Sequence, residues 1–138
     1  MKVVLDTNVL TVAISRRSRY YPILQRLRGG GFELLATHEI LTEYEEIITR
    51  LLSEDVAQNV LNGLEQLPNV TFLAKYYCWN LIKNDPDDDK FVDCAVAGGA
   101  DYLVTDDRHF DILKSIPFPA VQVLSADEFM EKLSSKQG

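Results

Sequence analysis

Five acidic residues lie at predicted strand ends and on predicted helices, and a pocket that gathered them would suggest metal-ion chemistry. Asp6 ends a short apolar run, Glu43 falls within an apolar helical stripe, and Asp107 follows another apolar run. Asp89 and Asp93 are four positions apart and would share one helix face. Carboxylates gathered in one pocket repel each other, and a bound cation relieves that repulsion. Such a ligand set favours Mg²⁺ or Mn²⁺, which support phosphodiester hydrolysis.

The elements that must position these acids alternate between short strands and helices. Short apolar runs rich in β-branched residues predict strands at residues 2–5, 32–36, 70–73, 102–105 and 121–124. Apolar residues at helical spacing predict helices at residues 9–13, 23–27, 40–51, 56–67, 91–98 and 110–113, and after residue 125. This alternation predicts an α/β fold, a three-layer α/β/α sandwich around a mainly parallel sheet. Ligands in such folds bind at the carboxyl ends of the strands, where two of these acids lie.

Local signals refine this pattern. Ser53 is a predicted helix cap, and Ser125 with Glu128 forms a capping box. The region 75–84 gives no clear prediction. The buried stripe of the long third helix is predicted to comprise Ile40, Leu41, Tyr44, Ile47, Ile48 and Leu51.

The composition limits the class of protein. The 138 residues are 46% hydrophobic and suit one domain over 1–138. The formal net charge of −7 argues against coating nucleic acid by bulk electrostatics, but residues 1–50 carry 7 basic and 6 acidic side chains, so the acidity is local. Cys78 and Cys94 form no CxxC pattern, and no apolar run is long enough for a signal peptide or a membrane span. We therefore expect a reduced, soluble, cytoplasmic protein with no membrane partner.

Four segments in order resemble the PIN-domain nucleases, in particular the bacterial and archaeal, VapC-like branch regarded as toxins of toxin–antitoxin pairs. The segments are Val3-Val4-Leu5-Asp6-Thr7-Asn8, Ile40-Leu41-Thr42-Glu43-Tyr44, Asp85-Pro86-Asp87-Asp88-Asp89-Lys90-Phe91 and residues 97–107. The resemblance implies an acidic quartet of Asp6, Glu43, Asp89 and Asp107, with Asn8 and Thr105 as supporting polar residues. Asp93 either replaces or supplements Asp89, and the Thr-x-Asp spacing of the family favours Asp107 over Asp106.

The same resemblance implies a function. It predicts a Mg²⁺- or Mn²⁺-dependent endoribonuclease that cuts single-stranded or loop RNA, acts as the toxin of a pair with a cognate antitoxin protein, and forms a homodimer. The basic residues Arg16, Arg17 and Arg19 follow Asp6 closely enough to contact the RNA, and Tyr20 or Tyr21 could stack on a base. The alternative for these arginines is a solvated loop.

Other interpretations stay open at this stage. Each acid taken alone could cap a helix or pair with its dipole, as Asp87 and Asp88 are expected to do, and Glu43 could extend to solvent. A haloacid-dehalogenase-like phosphatase would need a second acid where this chain has Asn8. A catalytically silent PIN module would bind RNA or a protein without cleavage. Residues expected to have surface, packing or interface roles are His109, Trp79, Tyr76 and Tyr77.

Overall fold

A five-stranded parallel sheet organises the chain, which a computed structural model describes over residues 1–74, 78–82 and 86–135. The spatial order is β3-β2-β1-β4-β5, and every adjacent pair is parallel. The strands are β1 (Lys2–Leu5), β2 (Glu33–Thr37), β3 (Val70–Leu73), β4 (Tyr102–Val104) and β5 (Val123–Leu124). The strands β2 and β3 lie on one side of the central β1, and β4 and β5 lie on the other. The carboxyl end of β1 therefore lies at the point where the strand order reverses.

The helices lie close to their predicted positions. They are α1 (Thr7–Ile14), α2 (Tyr21–Arg28), α3 (His38–Leu51), α4 (Glu54–Gln66), α5 (Pro86–Gly98), a 3-10 helix (Arg108–Ser115) and α6 (Ala126–Ser135). Both predicted caps are confirmed: Ser53 accepts a hydrogen bond from the Val56 amide, and Ser125 and Glu128 bond reciprocally. Right-handed crossovers place α1–α4 and α5 on opposite faces, and the predicted α/β/α class is confirmed. None of the described helices could cross a membrane.

The apolar face of α3 holds this helix against the sheet. Ile40, Tyr44 and Ile48 are fully buried, and the Tyr44 hydroxyl donates to the carbonyl of Leu5 at 2.6 Å. The prediction that Leu51 is buried is wrong, because α3 ends there and the side chain is 57% exposed. The bond from Tyr44 ties the middle of α3 to the last residue of β1. It therefore fixes the position of the neighbouring Glu43 beside the end of that strand.

The two cysteines are free. Cys78 is exposed, whereas Cys94 is buried as expected, and burial raises the pKa of its thiol to about 12. A thiol with that pKa is not a nucleophile at neutral pH. Three of the sequence predictions, those for Tyr76, Tyr77 and the side chain of Asp87, lie outside what the structure describes.

Candidate metal centre

Asp6 lies where the central strand ends and α1 begins. Its amide donates to the Val104 carbonyl at 2.9 Å, so the pairing of β1 with β4 extends to this residue. The side chain is only 6% exposed, and the Thr105 hydroxyl donates to its Oδ2 at 2.7 Å. The Asp107 amide donates to the same hydroxyl at 3.0 Å. Thr105 therefore joins the two acids that follow β1 and β4.

Glu43 reaches the same edge of the sheet from α3. The Thr7 hydroxyl donates to its Oε2, and the Lys90 ammonium lies 2.7 Å from its Oε1. The Glu43 side chain is 26% exposed and that of Lys90 is 13% exposed. Glu43 is thus a partly buried, paired carboxylate and does not simply extend to solvent. Sequence reasoning missed Thr7 and Lys90, although Lys90 stands directly after Asp89 in a run of acids.

Electrostatics link three of the predicted acids. Burial is the main cause that raises the pKa of Asp6 above its ordinary value. Hydrogen bonds from Thr105 and from the Thr7 amide lower that pKa, while the charges of Glu43 and Asp107 raise it further. The structure therefore brings Glu43 and Asp107 close enough to Asp6 for their charges to disfavour its ionised form.

Asp89 and Asp93 form a second pair on one face of α5. Both are buried, and each accepts a hydrogen bond from the segment 78–82: Asp89 from the Ile82 amide at 2.8 Å and Asp93 from the Trp79 amide at 2.9 Å. Burial raises the pKa of Asp93, the Trp79 amide lowers it, and the charges of Asp89 and Glu39 raise it. The two acids are thus held between α5 and an irregular segment.

Asp107 lies at the start of the 3-10 helix together with a histidine that was expected to have only a surface or packing role. Asp107 Oδ1 accepts a hydrogen bond from the His109 amide at 2.9 Å and lies 3.5 Å from its Nδ1. Asp88 Oδ2 lies 3.3 Å from the same nitrogen. Among the described residues, these three offer ligand atoms that all lie within 4.8 Å of one another. Asp88 and His109 therefore border the predicted acids.

The remaining predicted residues lie at the periphery. Asn8 is exposed in the first turn of α1, and Arg16 and Arg17 are exposed in the following loop. Arg19 pairs with Asp127 near the start of α6 and covers the Tyr20 ring at 4.9 Å. This surface pair contributes little stability, so it leaves Arg19 able to exchange partners.

Asp106 has a role that its position beside Asp107 did not indicate. It is exposed, as expected, and its Oδ1 accepts a hydrogen bond from the Ala126 amide at 3.0 Å. That amide belongs to the first residue of α6, so Asp106 helps to cap the helix. Of the two adjacent acids, Asp107 is therefore the one tied to Thr105 and the acid cluster.

The donor set fits a hard divalent cation. The acids at this edge supply carboxylate oxygens, and a cation would relieve the repulsion that Asp6 feels from Glu43 and from Asp107. Oxygen ligands of this type suit Mg²⁺ and Mn²⁺. The Lys90 ammonium already balances one oxygen of Glu43. The cluster therefore has a chemical reason to bind a cation, and the Lys90 ammonium already balances part of its negative charge.

Comparison with known proteins identifies the family. The family model described as the PIN domain matches residues 2–109, which include all five predicted acids. The chain belongs to the PIN domain family. No curated protein sequence matches this PIN domain.

Two solved structures resemble the PIN domain at low sequence identity. VapBC2 from Rickettsia felis, solved bound to a DNA fragment from its promoter, has a TM-score of 0.61 and 17% identity, covering 91% of this chain and 98% of that chain. VapC20 from Mycobacterium tuberculosis, a sarcin–ricin loop cleaving toxin, has a TM-score of 0.56 and 10% identity, covering 82% and 94%. At these identities the likeness establishes the shared fold.

Removing the ammonium group of Lys90, which pairs with Glu43, should lower the stability of the metal-free PIN domain. We expect Lys90→Met to reduce the free energy of unfolding by about 1–2 kcal/mol in chelator, because Glu43 then keeps its charge near Asp6 with the Thr7 hydroxyl but no cation to balance it. Saturating Mn²⁺ should reduce that difference. Urea denaturation measures both values. Lys132→Met, which removes an exposed lysine that contacts the Tyr102 ring, is the control. Equal stability of Lys90→Met and the parent in chelator would contradict the prediction.

Proposed function

We propose that this PIN domain is a divalent-metal-dependent endoribonuclease that hydrolyses phosphodiester bonds in single-stranded or loop RNA. The observation that carries the proposal is the position of Asp6, a carboxylate buried at the carboxyl end of the central strand with Glu43 and Asp107 near enough to raise its pKa. The fold itself does not need two further acids beside the buried Asp6, and this arrangement costs stability in the absence of a cation. Binding of a cation would offset that cost.

The metal ligands of this proposal are Asp6, Asp89 and Asp107, with Glu43 and Asp93 as further candidate ligands. A Mg²⁺ or Mn²⁺ ion held there would supply water activation and neutralise charge on the phosphate. Thr105 accepts from the Asp107 amide and donates to Asp6, so it fixes the direction of the Asp6 carboxylate.

Hydrolysis without a covalent enzyme intermediate is consistent with the side chains around the acids. The Thr7 hydroxyl donates a hydrogen bond to Glu43, the Thr105 hydroxyl donates one to Asp6, and the Cys94 thiol is buried with a pKa of about 12. Both hydroxyls are engaged with carboxylates of the proposed metal site, and the thiol stays protonated at neutral pH, so none of the three is proposed as the nucleophile. Water is therefore the proposed attacking group, with a carboxylate of the cluster to orient it.

We also propose a toxin role with a cognate antitoxin, and a homodimer as the assembly. The likeness of the fold to VapC20, described as a sarcin–ricin loop cleaving toxin, and to VapBC2 supports the toxin role. Growth arrest on expression, relieved by a protein that co-purifies with the chain, tests the pairing. Light scattering of the purified chain tests the dimer.

The nuclease activity is tested with purified protein, a fluorescent single-stranded RNA and a duplex of the same sequence. We expect cleavage of the single strand in Mn²⁺, its loss in chelator and its return when Mn²⁺ is added in excess. Cleavage that persists in chelator would overturn the metal-dependent mechanism. Mn²⁺ binding without cleavage of any single-stranded, looped or duplex RNA would overturn the nuclease and favour the silent module.

A further inference from the structure

A cavity of about 710 Å³ lies beside the acids and has no role in the metal centre itself. Its lining includes Trp79, Leu81 and Ile82 from the segment 78–82, Arg108 and Ile112 from the 3-10 helix, and Ile116 directly after that helix. We call it the Trp79 cavity. Its volume lies within the range of about 300–1,000 Å³ that is typical of sites for small molecules.

The walls of the Trp79 cavity also hold the acids. The Trp79 amide bonds to Asp93 and the Ile82 amide to Asp89, at 2.9 and 2.8 Å. His109, which also lines the cavity, lies 3.5 Å from Asp107. A ligand in the cavity is therefore adjacent to the groups that would hold a metal-bound phosphate.

The side chains of the cavity select a flat, uncharged ligand. Trp79 is half-buried and packs edge-to-face against Phe118, with ring centroids 5.9 Å apart, while Ile112 and Ile116 supply apolar surface. The apolar part of the walls disfavours a charged group deep in the cavity. Exposed Arg108 supplies a positive charge that suits a neighbouring phosphate. A nucleotide has this combination, because its flat, uncharged base is linked to a phosphate.

We propose that the Trp79 cavity is a subsite for an unpaired nucleobase adjacent to the scissile phosphate, which rests on the proposed nuclease function. A base within a duplex is stacked on both faces and paired along its edge, whereas an unpaired base is free to turn out and stack on an aromatic ring. The subsite therefore gives the metal centre a preference for single-stranded or looped RNA. It selects the strand by the presence of an accessible base, and the acids act on the phosphate next to it.

The single tryptophan of the chain makes this subsite directly measurable, because all tryptophan fluorescence comes from Trp79. The probes are adenosine and uridine 5′-monophosphate in Mg²⁺, with ribose 5-phosphate as the base-free control. We expect both nucleotides to change the emission saturably. Ribose 5-phosphate should leave the emission unchanged at the same concentrations.

A pair of matched variants locates the binding. Ile112→Glu places a charge in the cavity, and we expect nucleotide affinity to fall by about tenfold or more. Leu52→Glu makes the same change at the α3–α4 turn, where the residue is 50% exposed, compared with 51% for Ile112, and should have no effect. On single-stranded RNA, Ile112→Glu should raise KM more than it lowers kcat.

The outcomes separate the subsite from the nuclease. RNA cleavage with no nucleotide effect on Trp79, or an equal effect of ribose 5-phosphate, would overturn the subsite and leave the nuclease intact. Saturable, Ile112-dependent nucleotide binding without RNA cleavage would support the subsite and overturn the nuclease. Tryptophan emission could instead change when the protein is diluted, and this dilution dependence could be lost in Ile112→Glu. That result would overturn the subsite, because it would show that the cavity contacts a second copy of the chain.

Discussion

Asp6→Asn is expected to reduce metal-dependent RNA cleavage by at least about a hundredfold. Loss of a residue that merely supports a metal ligand costs about 10–100-fold, and Asp6 is proposed as a ligand itself. The substitution keeps the shape of the side chain and an oxygen that can accept from Thr105. Its effect should therefore come from the lost charge. Initial rates of RNA cleavage in saturating Mn²⁺ measure it.

Two controls separate a lost charge from a damaged fold. Asp55→Asn removes an exposed acid from the first turn of α4 and should retain the parent rate. Asp6→Asn itself should unfold cooperatively, with an unchanged circular dichroism spectrum. A rate within about threefold of the parent in Asp6→Asn would contradict the assignment of Asp6 as a metal ligand.

The second large effect is on stability, and its sign depends on metal. The ordinary pKa of an aspartate is 3.8, and burial raises the pKa of Asp6 above that value in the folded protein. Above pH 3.8 the unfolded chain releases this proton first, so folding loses stability as the pH rises, and the whole loss is present once the pH exceeds the raised pKa. In chelator at pH 7, Asp6→Asn should therefore be more stable than the parent.

With bound metal, the parent should be more stable than Asp6→Asn. A cation that binds the folded acids at a hundred times its Kd adds about 2.7 kcal/mol to the stability of the parent. The gain corresponds to a rise in Tm of several degrees for a chain of this size. Asp6→Asn should gain much less.

Thermal unfolding of both proteins between pH 4 and pH 8, with Mn²⁺ or with chelator, tests the pH and metal effects together. The difference between the proteins in chelator should shrink towards pH 4, where Asp6 is protonated in more of the folded population. Asp55→Asn should gain as much stability from Mn²⁺ as the parent, apart from a metal-independent loss of about 0.3–1 kcal/mol through the helix dipole of α4. A metal-free Asp6→Asn protein that is less stable than the parent at pH 7, or equal Mn²⁺ gains for both proteins, would contradict the account.

The sequence contained enough information to place the strands, the long helices and the edge at which the acids meet. The short apolar run that ends at Asp6 predicted a buried strand with Asp6 at its carboxyl end, and the apolar period of α3 placed Glu43 within the buried stripe of that helix. These inferences succeeded because periodicity reports which face of an element is buried. Leu51 was placed wrongly because periodicity does not show where an element leaves the sheet.

The partners of the acids could not be predicted in the same way. Thr7, Glu43 and Lys90 lie on three different helices, α1, α3 and α5. The apolar period of one helix carries no information about contacts with another. The segment 78–82 is irregular, so no pattern indicated that its amides would bond to Asp89 and Asp93. Asp106 and Asp107 are adjacent in sequence, and only the fold shows that one caps α6 and the other bonds through Thr105.

The hydrogen bond between Thr105 and Asp6 joins residues 99 positions apart. During synthesis, a ribosome-bound chain that has exposed only β1, β2 and β3 contains Asp6 and Glu43 but lacks β4, Thr105 and Asp107. Closing so long a loop is slow relative to local helix formation, so pairing of β4 with β1 is a late event in folding. The acid cluster is consequently completed only after most of the chain has been made. An emerging or truncated chain lacks it, and completion of the cluster is coupled to completion of the sheet.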